Sequence, residues 1–385
     1  MAAFDDLKTT LGALAKQQLY RRRRVVESAP GREIIVNGRK LLNFCSNDYL
    51  GLAADPRVST AFRAGVDRWG AGAGASHLVS GHTAAHHELE EALADFTRRP
   101  RALLFGSGYA ANVGTINALV GPGDFVFEDR LNHASLLDGG WLSRATFSWF
   151  DHADATDLET RVVASADSPR RKLIVSDGTF SMDGDLCPLH DLVAAAHRHQ
   201  AWLMIDDAHG CGVHGIGGCG VVDPAVHGIG DVPVLVGTLG KAFGTAGAFV
   251  AGDDVLIETL IQRARNYIYT TALPPAVAVA TLESLRIARA EAWRRERLSE
   301  LIAQFRAGAA VLGLQLLPST TPIQPIVVGE SAAALTLSGK LESRGILVPA
   351  IRPPTVPAGT ARLRVTFSAL HEPADVDRLL EALVP

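Results

Sequence analysis

The sequence predicts an α/β protein, with a large domain on a mostly parallel, doubly wound seven-stranded sheet and a smaller C-terminal α+β domain. Three observations carry this. Between about residues 101 and 252, seven short apolar runs alternate with helix-like stretches. Most of these runs are apolar throughout, as strands covered on both faces by crossover helices must be. After Pro274-Pro275 the pattern changes to one long helical stretch and then a second set of strands.

Taken in order, residues 5–24 place Leu7, Leu11, Leu14 and Leu19 at helical spacing and end in the run Arg21–Arg24. The seven strand candidates are Ala102–Phe105, Phe125–Glu128, Thr146–Phe150, Leu173–Ser176, Trp202–Asp206, Val234–Gly237 and Ala248–Ala251. Strand–helix alternation over this length argues for right-handed crossovers and parallel pairing. A helix is expected over 277–312, then strands at Leu314–Leu317, Ile323–Val328, Ile346–Val348 and Arg362–Thr366. Helical segments at 332–344 and 373–383 complete the smaller domain. The division is therefore 1–48 as an N-terminal helix and connecting segment, 49–285 as the large domain and 286–385 as the small one.

Composition sets bounds on function. The chain has 385 residues, 47% hydrophobic and 20% charged, which describes a folded globular protein with an ample core. A net charge of −4 gives no electrostatic case for nucleic acid or an anionic membrane, and four adjacent arginines do not change that. The opening residues are polar and no apolar run is long enough to span a bilayer. Cys45, Cys187, Cys211 and Cys219 form no CxxC pair, as suits a reduced compartment. A cytoplasmic protein is expected.

The chemistry concentrates at strand ends, where catalytic groups of open α/β sheets gather. Ala102–Phe105 runs into Gly106-Ser-Gly-Tyr-Ala-Ala-Asn112, a glycine-rich turn opening a helix whose first N–H groups suit a phosphate. Trp202–Asp206 runs into Asp206-Asp-Ala-His-Gly210, and Val234–Gly237 into Thr238-Leu-Gly-Lys241. Lysines are scarce, six against thirty-one arginines, so one in an apolar, glycine-flanked turn stands out. Burial there would lower the pKa of Lys241 and leave an amine able to attack a carbonyl. A carboxylate, an imidazole and such an amine suit an aromatic aldehyde cofactor, pyridoxal phosphate. A metal site from Asp206, His209, Cys211 and His214, or from His82 and His86, is the rival reading. The chain has no HExxH and no paired cysteines, so no metal is expected, and His82, His86 and His87 read as core histidines.

These motifs, together with Asn43-Phe-Cys-Ser-Asn-Asp-Tyr-Leu-Gly51, Asn132-His-Ala-Ser135 and Phe180-Ser-Met-Asp-Gly-Asp185, resemble the α-oxoamine synthases. That family consists of fold-type I pyridoxal-phosphate enzymes, and the resemblance runs in order from about residue 20 to residue 371. Tyr20-Arg-Arg-Arg23 and Ala350-Ile-Arg-Pro-Pro-Thr-Val-Pro-Ala-Gly-Thr-Ala-Arg-Leu-Arg364 are most similar to one branch. That branch condenses L-alanine with a pimeloyl thioester, on coenzyme A or acyl carrier protein, in biotin assembly. A sibling activity, such as glycine C-acetyltransferase or 5-aminolevulinate synthase, is the alternative within the family. From another class comes a non-catalytic pyridoxal-phosphate sensor, though the chain shows no basic face or appended DNA-binding module. Asp177 stands where relatives often have glutamate, and His77 where many have arginine.

The resemblance implies roles. Lys241 would hold the cofactor as a Schiff base and act as general base, Asp206 would keep the ring nitrogen protonated, and His133 would stack on the ring. His209 and Ser181 would contact the ring's polar substituents. Gly108, Tyr109 and Thr238 would bind the phosphate, with Ser76, Thr270 and Thr271 contributed across a homodimer interface. Arg364 would take the alanine carboxylate, and Arg21, Thr355 and Asn47 would make further substrate contacts.

Overall fold

A computed structural model describes residues 3–164 and 170–384. Thirteen strands lie among the described residues. The first two are β1 (Glu33–Val36) and β2 (Arg39–Asn43). The large sheet follows with β3 (Arg101–Phe105), β4 (Phe125–Asp129), β5 (Thr146–Phe150) and β6 (Lys172–Asp177). It continues with β7 (Trp202–Asp206), β8 (Val234–Thr238) and β9 (Ala248–Gly252). The remainder are β10 (Ile323–Gly329), β11 (Ile346–Leu347), β12 (Ala350–Ile351) and β13 (Ala361–Thr366).

The seven strands β3–β9 form one sheet in the order β3-β9-β8-β7-β6-β4-β5. All neighbours are parallel except β9, which runs antiparallel to both β3 and β8. Successive residues of a strand supply opposite faces. Leu173 and Val175 enter one core cluster with Ile116, Met204 and Val250, while Ile174 enters another with Leu158, Leu192 and Ile205. Helices Gly108–Leu119 and Asp254–Arg263 cover the first face, and Ala155–Val163 and Leu189–Arg198 the second. This two-sided burial is why the central strands read as unbroken apolar runs.

Register sets the site. Asp177 of β6 lies beside Asp206 of β7, which lies beside Val236 of β8. The carboxyl ends of β3, β4, β6, β7 and β8 therefore share one edge of the sheet. This unit comprises Asn47–Ser181 and Asp185–Glu296.

The second compact unit comprises the chain up to Ser46, Met182–Gly184 and the chain from Arg297 onward. In it β1 and β2 pair as an antiparallel hairpin and β11 joins β2 in parallel. Asn37 and Gly38 both take positive φ, 51° and 69°, the conformation a two-residue hairpin turn requires. The strands β10, β13 and β12 form an antiparallel sheet.

Four expectations change. The first helix is Asp5–Lys16 rather than 5–24; Leu19 N–H bonds back to Leu14 O, Gln18 takes positive φ, and the arginine run lies beyond. On a continued helix those arginines would stack at repulsive i,i+3 spacing. The stretch 277–312 is two helices, Pro275–Ala290 and Trp293–Val311. Arg294 caps the break, donating to Leu50 O and pairing with Asp55 and Glu291. Leu314–Leu317 contributes only a bridge from Leu316 to Ile326. Residue 285 falls inside a helix, and the two units part between Glu296 and Arg297. Among the described residues no helix is long and apolar enough to cross a membrane.

Candidate active site

Lys241 sits two residues beyond the Leu239 N–H that bonds Gly247 O, in a turn closed by Gly244 N–H on Lys241 O at 2.9 Å. Gly244 has φ +65°, and a Cβ there would strike the backbone of Leu52 and Ala53. Glycine is required because the loop packs directly on another backbone. Lys241 is half-buried rather than enclosed, because Gly240 beside it is exposed. Its charge acts on His133, Asp177 and Asp207, so the amine lies among the groups at this sheet edge.

Asp206 is 4% exposed. One carboxylate oxygen accepts Ala208 N–H at 3.0 Å and the other accepts Asn112 Nδ2 at 2.6 Å. The same Asn112 nitrogen reaches Ser135 Oγ at 2.9 Å, and Ser135 Oγ lies 2.7 Å from His133 Nδ1. The proton directions follow from Asp206. An ionised carboxylate only accepts, so the Asn112 amide must point its NH2 group at it, and the second hydrogen goes to Ser135 Oγ. Ser135 then gives its own proton to His133 Nδ1, which also accepts Ser135 N–H at 3.3 Å as the cap of helix Ala134–Ser143. His133 is thereby fixed as the neutral tautomer with its proton on Nε2. Burial, which lowers the pKa of His133, acts in the same direction.

Ser135→Ala removes one of the two donors to Nδ1, worth about 1 kcal/mol. Nitrogen-15 spectra of the His133 ring are expected to show a growing Nδ1–H population, with kcat/KM down about fivefold. An unchanged ring spectrum would show that the chain does not set the tautomer.

His209 leaves β7 three residues after Asp206, and Tyr49 OH meets its Nδ1 at 2.5 Å. Tyr49 is fully buried and also reaches Asn47 Oδ1 at 3.4 Å, so Asn47, Tyr49 and His209 form one cluster. Gly210 completes the motif because a Cβ there would collide with the Asp207 carboxyl. Burial pushes the Asp207 pKa up to about 8, with Asp206 adding repulsion. Asp177, beside Asp206 in register, is likewise raised well above the usual carboxylate range by burial and then by Asp206; it accepts His133 N–H at 2.6 Å. Aspartate instead of glutamate here holds the His133 backbone.

The turn after β6 carries Ser181. It is tied by the bridge Thr179–Leu186 and by Phe180 N–H on Asp185 O. His152 clamps it, with Nδ1 at 3.0 Å from Asp129 and Nε2 at 2.8 Å from Asp185. Burial opposes the imidazolium, but these two hydrogen bonds outweigh it and push the pKa to about 10. A pKa raised above its unfolded value of about 6.5 stabilises fully below that pH and is lost as pH climbs toward 10. Unfolding midpoints of the wild type are therefore expected to fall between pH 7 and 10, and those of His152→Gln to fall less. Parallel curves would remove the clamp.

At the end of β3, Ser107 caps helix Gly108–Leu119, its Oγ accepting Ala110 N–H at 3.1 Å. Gly108 and Tyr109 are the first helical residues, whose N–H groups have no acceptor within a helix. The Tyr109 side chain is turned to Asp138. The Thr238 hydroxyl donates to Gly247 O at 3.1 Å, so it must rotate to serve an anion. Thr270 lines a cavity with Gly106, Ser107 and Ala110, and Thr271 is exposed beside it. Ser76 lies on the adjoining strand of chain, since Ala272 N–H bonds Ala75 O.

In the smaller unit Arg364 is buried on β13, its Nη1 donating to Thr366 Oγ1 at 3.0 Å, while Arg362 pairs with Asp183 at 2.7 Å. Arg21 Nη2 meets Thr355 Oγ1 at 3.4 Å. Two residues 334 positions apart, each chosen from a different motif, are thus brought together.

Residues 39–383 match the family of class I and II aminotransferases. The 8-amino-7-oxononanoate synthase of Nitrosococcus oceani is 61% identical over 368 residues, spanning 96% of this chain and 97% of that protein. The chain belongs to the 8-amino-7-oxononanoate synthases, within the class I and II aminotransferases. Among solved structures, the Francisella tularensis 8-amino-7-oxononanoate synthase superposes with TM-score 0.77 at 31% identity, covering 89% of this chain and 96% of that one. A serine palmitoyltransferase of S. paucimobilis, with bound pyridoxal phosphate and myriocin, gives TM-score 0.92 at 31% identity over 98% of this chain and 96% of that one.

Pyridoxal 5′-phosphate is the cofactor of an 8-amino-7-oxononanoate synthase, and the residues present fit it. Asp206 is the deciding group. It is buried at a strand end, and its carboxylate is held in one orientation by two neutral donors, Asn112 Nδ2 and Ala208 N–H. A carboxylate so placed would suit a protonated pyridine nitrogen. Asn112, Ser135, Tyr49 and His152 take part in the site without having been singled out in the sequence. Asn112 and Ser135 lie inside quoted motifs, at spacings that place them one helical turn or two residues from Gly108 and His133; polar residues there were the available signal.

Proposed function

We propose that this 8-amino-7-oxononanoate synthase condenses L-alanine with a pimeloyl thioester, releasing carbon dioxide and free thiol, at the committed step of biotin assembly. The observation that carries this reading is the meeting of Arg21 with Thr355, since both come from the motifs that set this branch apart. A guanidinium and a hydroxyl side by side form a donor pair suited to the distal carboxylate of a pimeloyl chain. Neither a glycine-and-acetyl reaction nor a succinyl transfer needs a carboxylate at that reach.

When bound, the cofactor supplies an electron sink for the carbanion formed at alanine Cα. Lys241 Nζ would hold the cofactor's aldehyde and then carry the Cα proton as general base. Asp206 would keep the ring nitrogen protonated, and the Asn112 and Ala208 donors hold its carboxylate in one orientation. His133 would pack on the ring face and present its Nε2–H. His209 and Ser181 would contact the ring oxygen side, with His209 fixed by Tyr49. Gly108, Tyr109 and Thr238 would bind the phosphate, joined by Ser76, Thr270 and Thr271 of a second copy in a homodimer. Arg364 would bind the alanine carboxylate bidentately, and Asn47 would contact substrate near His209.

A panel of pimeloyl, succinyl and acetyl thioesters on coenzyme A and on acyl carrier protein, with alanine, glycine and serine, tests the reading by product mass. Product from alanine and a pimeloyl thioester is expected. Turnover only with glycine and a short acyl group would overturn it.

A further inference from the structure

Four of the histidines that the proposed reaction leaves unused cluster between Ser76 and helix Ala84–Thr97. His77, His82 and His86 have ligand atoms within 4.8 Å of one another, as do His82, His87 and Glu90. The first group is not a donor set. His86 spends both nitrogens, Nε2 on Leu273 O at 2.6 Å and Nδ1 on Thr83 N–H at 3.0 Å. His77 is buried, stacked on Tyr267, with Nδ1 at 3.0 Å from Nδ1 of His82.

The second group differs. Two imidazole nitrogens at 3.0 Å share one proton, so one ring donates and the other accepts. With His82 as donor, its Nε2 lone pair faces the Glu90 carboxylate at 3.9 Å. This is the arrangement of metal-binding histidines, which donate their remote N–H to a fixed acceptor. Glu90 is held in turn by Leu104 N–H on Oε1, leaving Oε2 toward His82. His87 lies three residues before Glu90, on the same helical face, and is exposed enough to swing in. The same side chains line a cavity of about 480 Å³.

We propose that His82, His87 and Glu90 form a binding site for a divalent transition-metal ion of the zinc type, separate from the reaction centre. Two imidazoles and one carboxylate are a donor set that zinc accepts, with water in the remaining position. Bonds of about 2.0–2.2 Å require the three ligand atoms to close by roughly an ångström, which His87 can supply by rotation. Glu91, 3.4 Å from His87, is a further carboxylate at the rim. Arg101 lines the same cavity, and its guanidinium is drawn off by Glu258 at 2.6 Å.

Chelator-treated holoenzyme titrated with Co2+, and then with Zn2+ in competition, tests the proposal. The expected result is one saturable equivalent per chain, with visible d–d bands lacking cobalt–thiolate charge transfer. His87→Ala and Glu90→Gln are each expected to weaken binding at least about tenfold, while His190→Ala leaves it unchanged. No saturable binding below millimolar Co2+, binding that survives His87→Ala, or thiolate charge-transfer bands would overturn it. His87 is a surface residue, so its variant decides even if Glu90→Gln fails to fold.

Discussion

Lys241→Ala is expected to lower turnover about 10³–10⁴-fold and to abolish covalent retention of the cofactor. Two separate tasks are proposed for this one amine. As nucleophile it would hold the aldehyde, and as base it would move the Cα proton, a contribution of about 10²–10⁴ on its own. The turn around it keeps its shape in the variant, because Gly244 N–H bonds the Lys241 carbonyl and not its side chain. A large loss with an unchanged unfolding midpoint is therefore the expected pattern. Borohydride reduction followed by peptide mass mapping checks the attachment. Label that still appears on the Lys241→Ala chain would remove the residue from both roles.

Asp206→Asn is expected to cost at least about 10²-fold in kcat while destabilising the fold by no more than about 3 kcal/mol. The amide has the carboxylate's shape and keeps an oxygen for the Asn112 donor, while its NH2 group leaves Ala208 N–H without its acceptor. What it lacks is the negative charge that would hold a proton on a pyridine nitrogen. The charge also acts on its neighbours: Asp206 repulsion helps to raise Asp177 and Asp207, so both lose part of that upward shift in the variant. Turnover and the pH dependence of the bound cofactor's absorbance check this. A variant with wild-type kcat would show that Asp206 does not govern the ring nitrogen.

All seven strands of the large sheet, and each position where a site residue leaves a strand, were legible in the residue order. The reason is two-sided burial. A strand covered on both faces must be apolar at every position, and its end is marked where polar or glycine residues begin. Strands of the smaller unit were read less well, because one-sided and very short strands carry weaker patterns; β12 has only two residues. The Asn37-Gly38 hairpin was nevertheless within reach, since that dipeptide after the β-branched run Ile34–Val36 specifies its turn. The N-terminal helix stopped eight residues early, at Lys16 rather than Arg24, because a helix with no buried residue gains little from extension.

Within the site, the sequence singled out Lys241, Asp206 and His209 from local motifs at strand ends, and His133 through the family resemblance. It could not show that Asn112 reaches Asp206, or that the same amide reaches Ser135 beside His133. Those bonds join residues 94 and 23 positions apart, and only the packing of helices Gly108–Leu119 and Ala134–Ser143 on the sheet closes those gaps. Residue types and their spacing specify which chemistry a chain can carry, since donors and acceptors are local properties. Which donor meets which acceptor, and hence on which nitrogen His133 keeps its proton, is set by tertiary packing, since hydrogen bonds act over only about 3 Å.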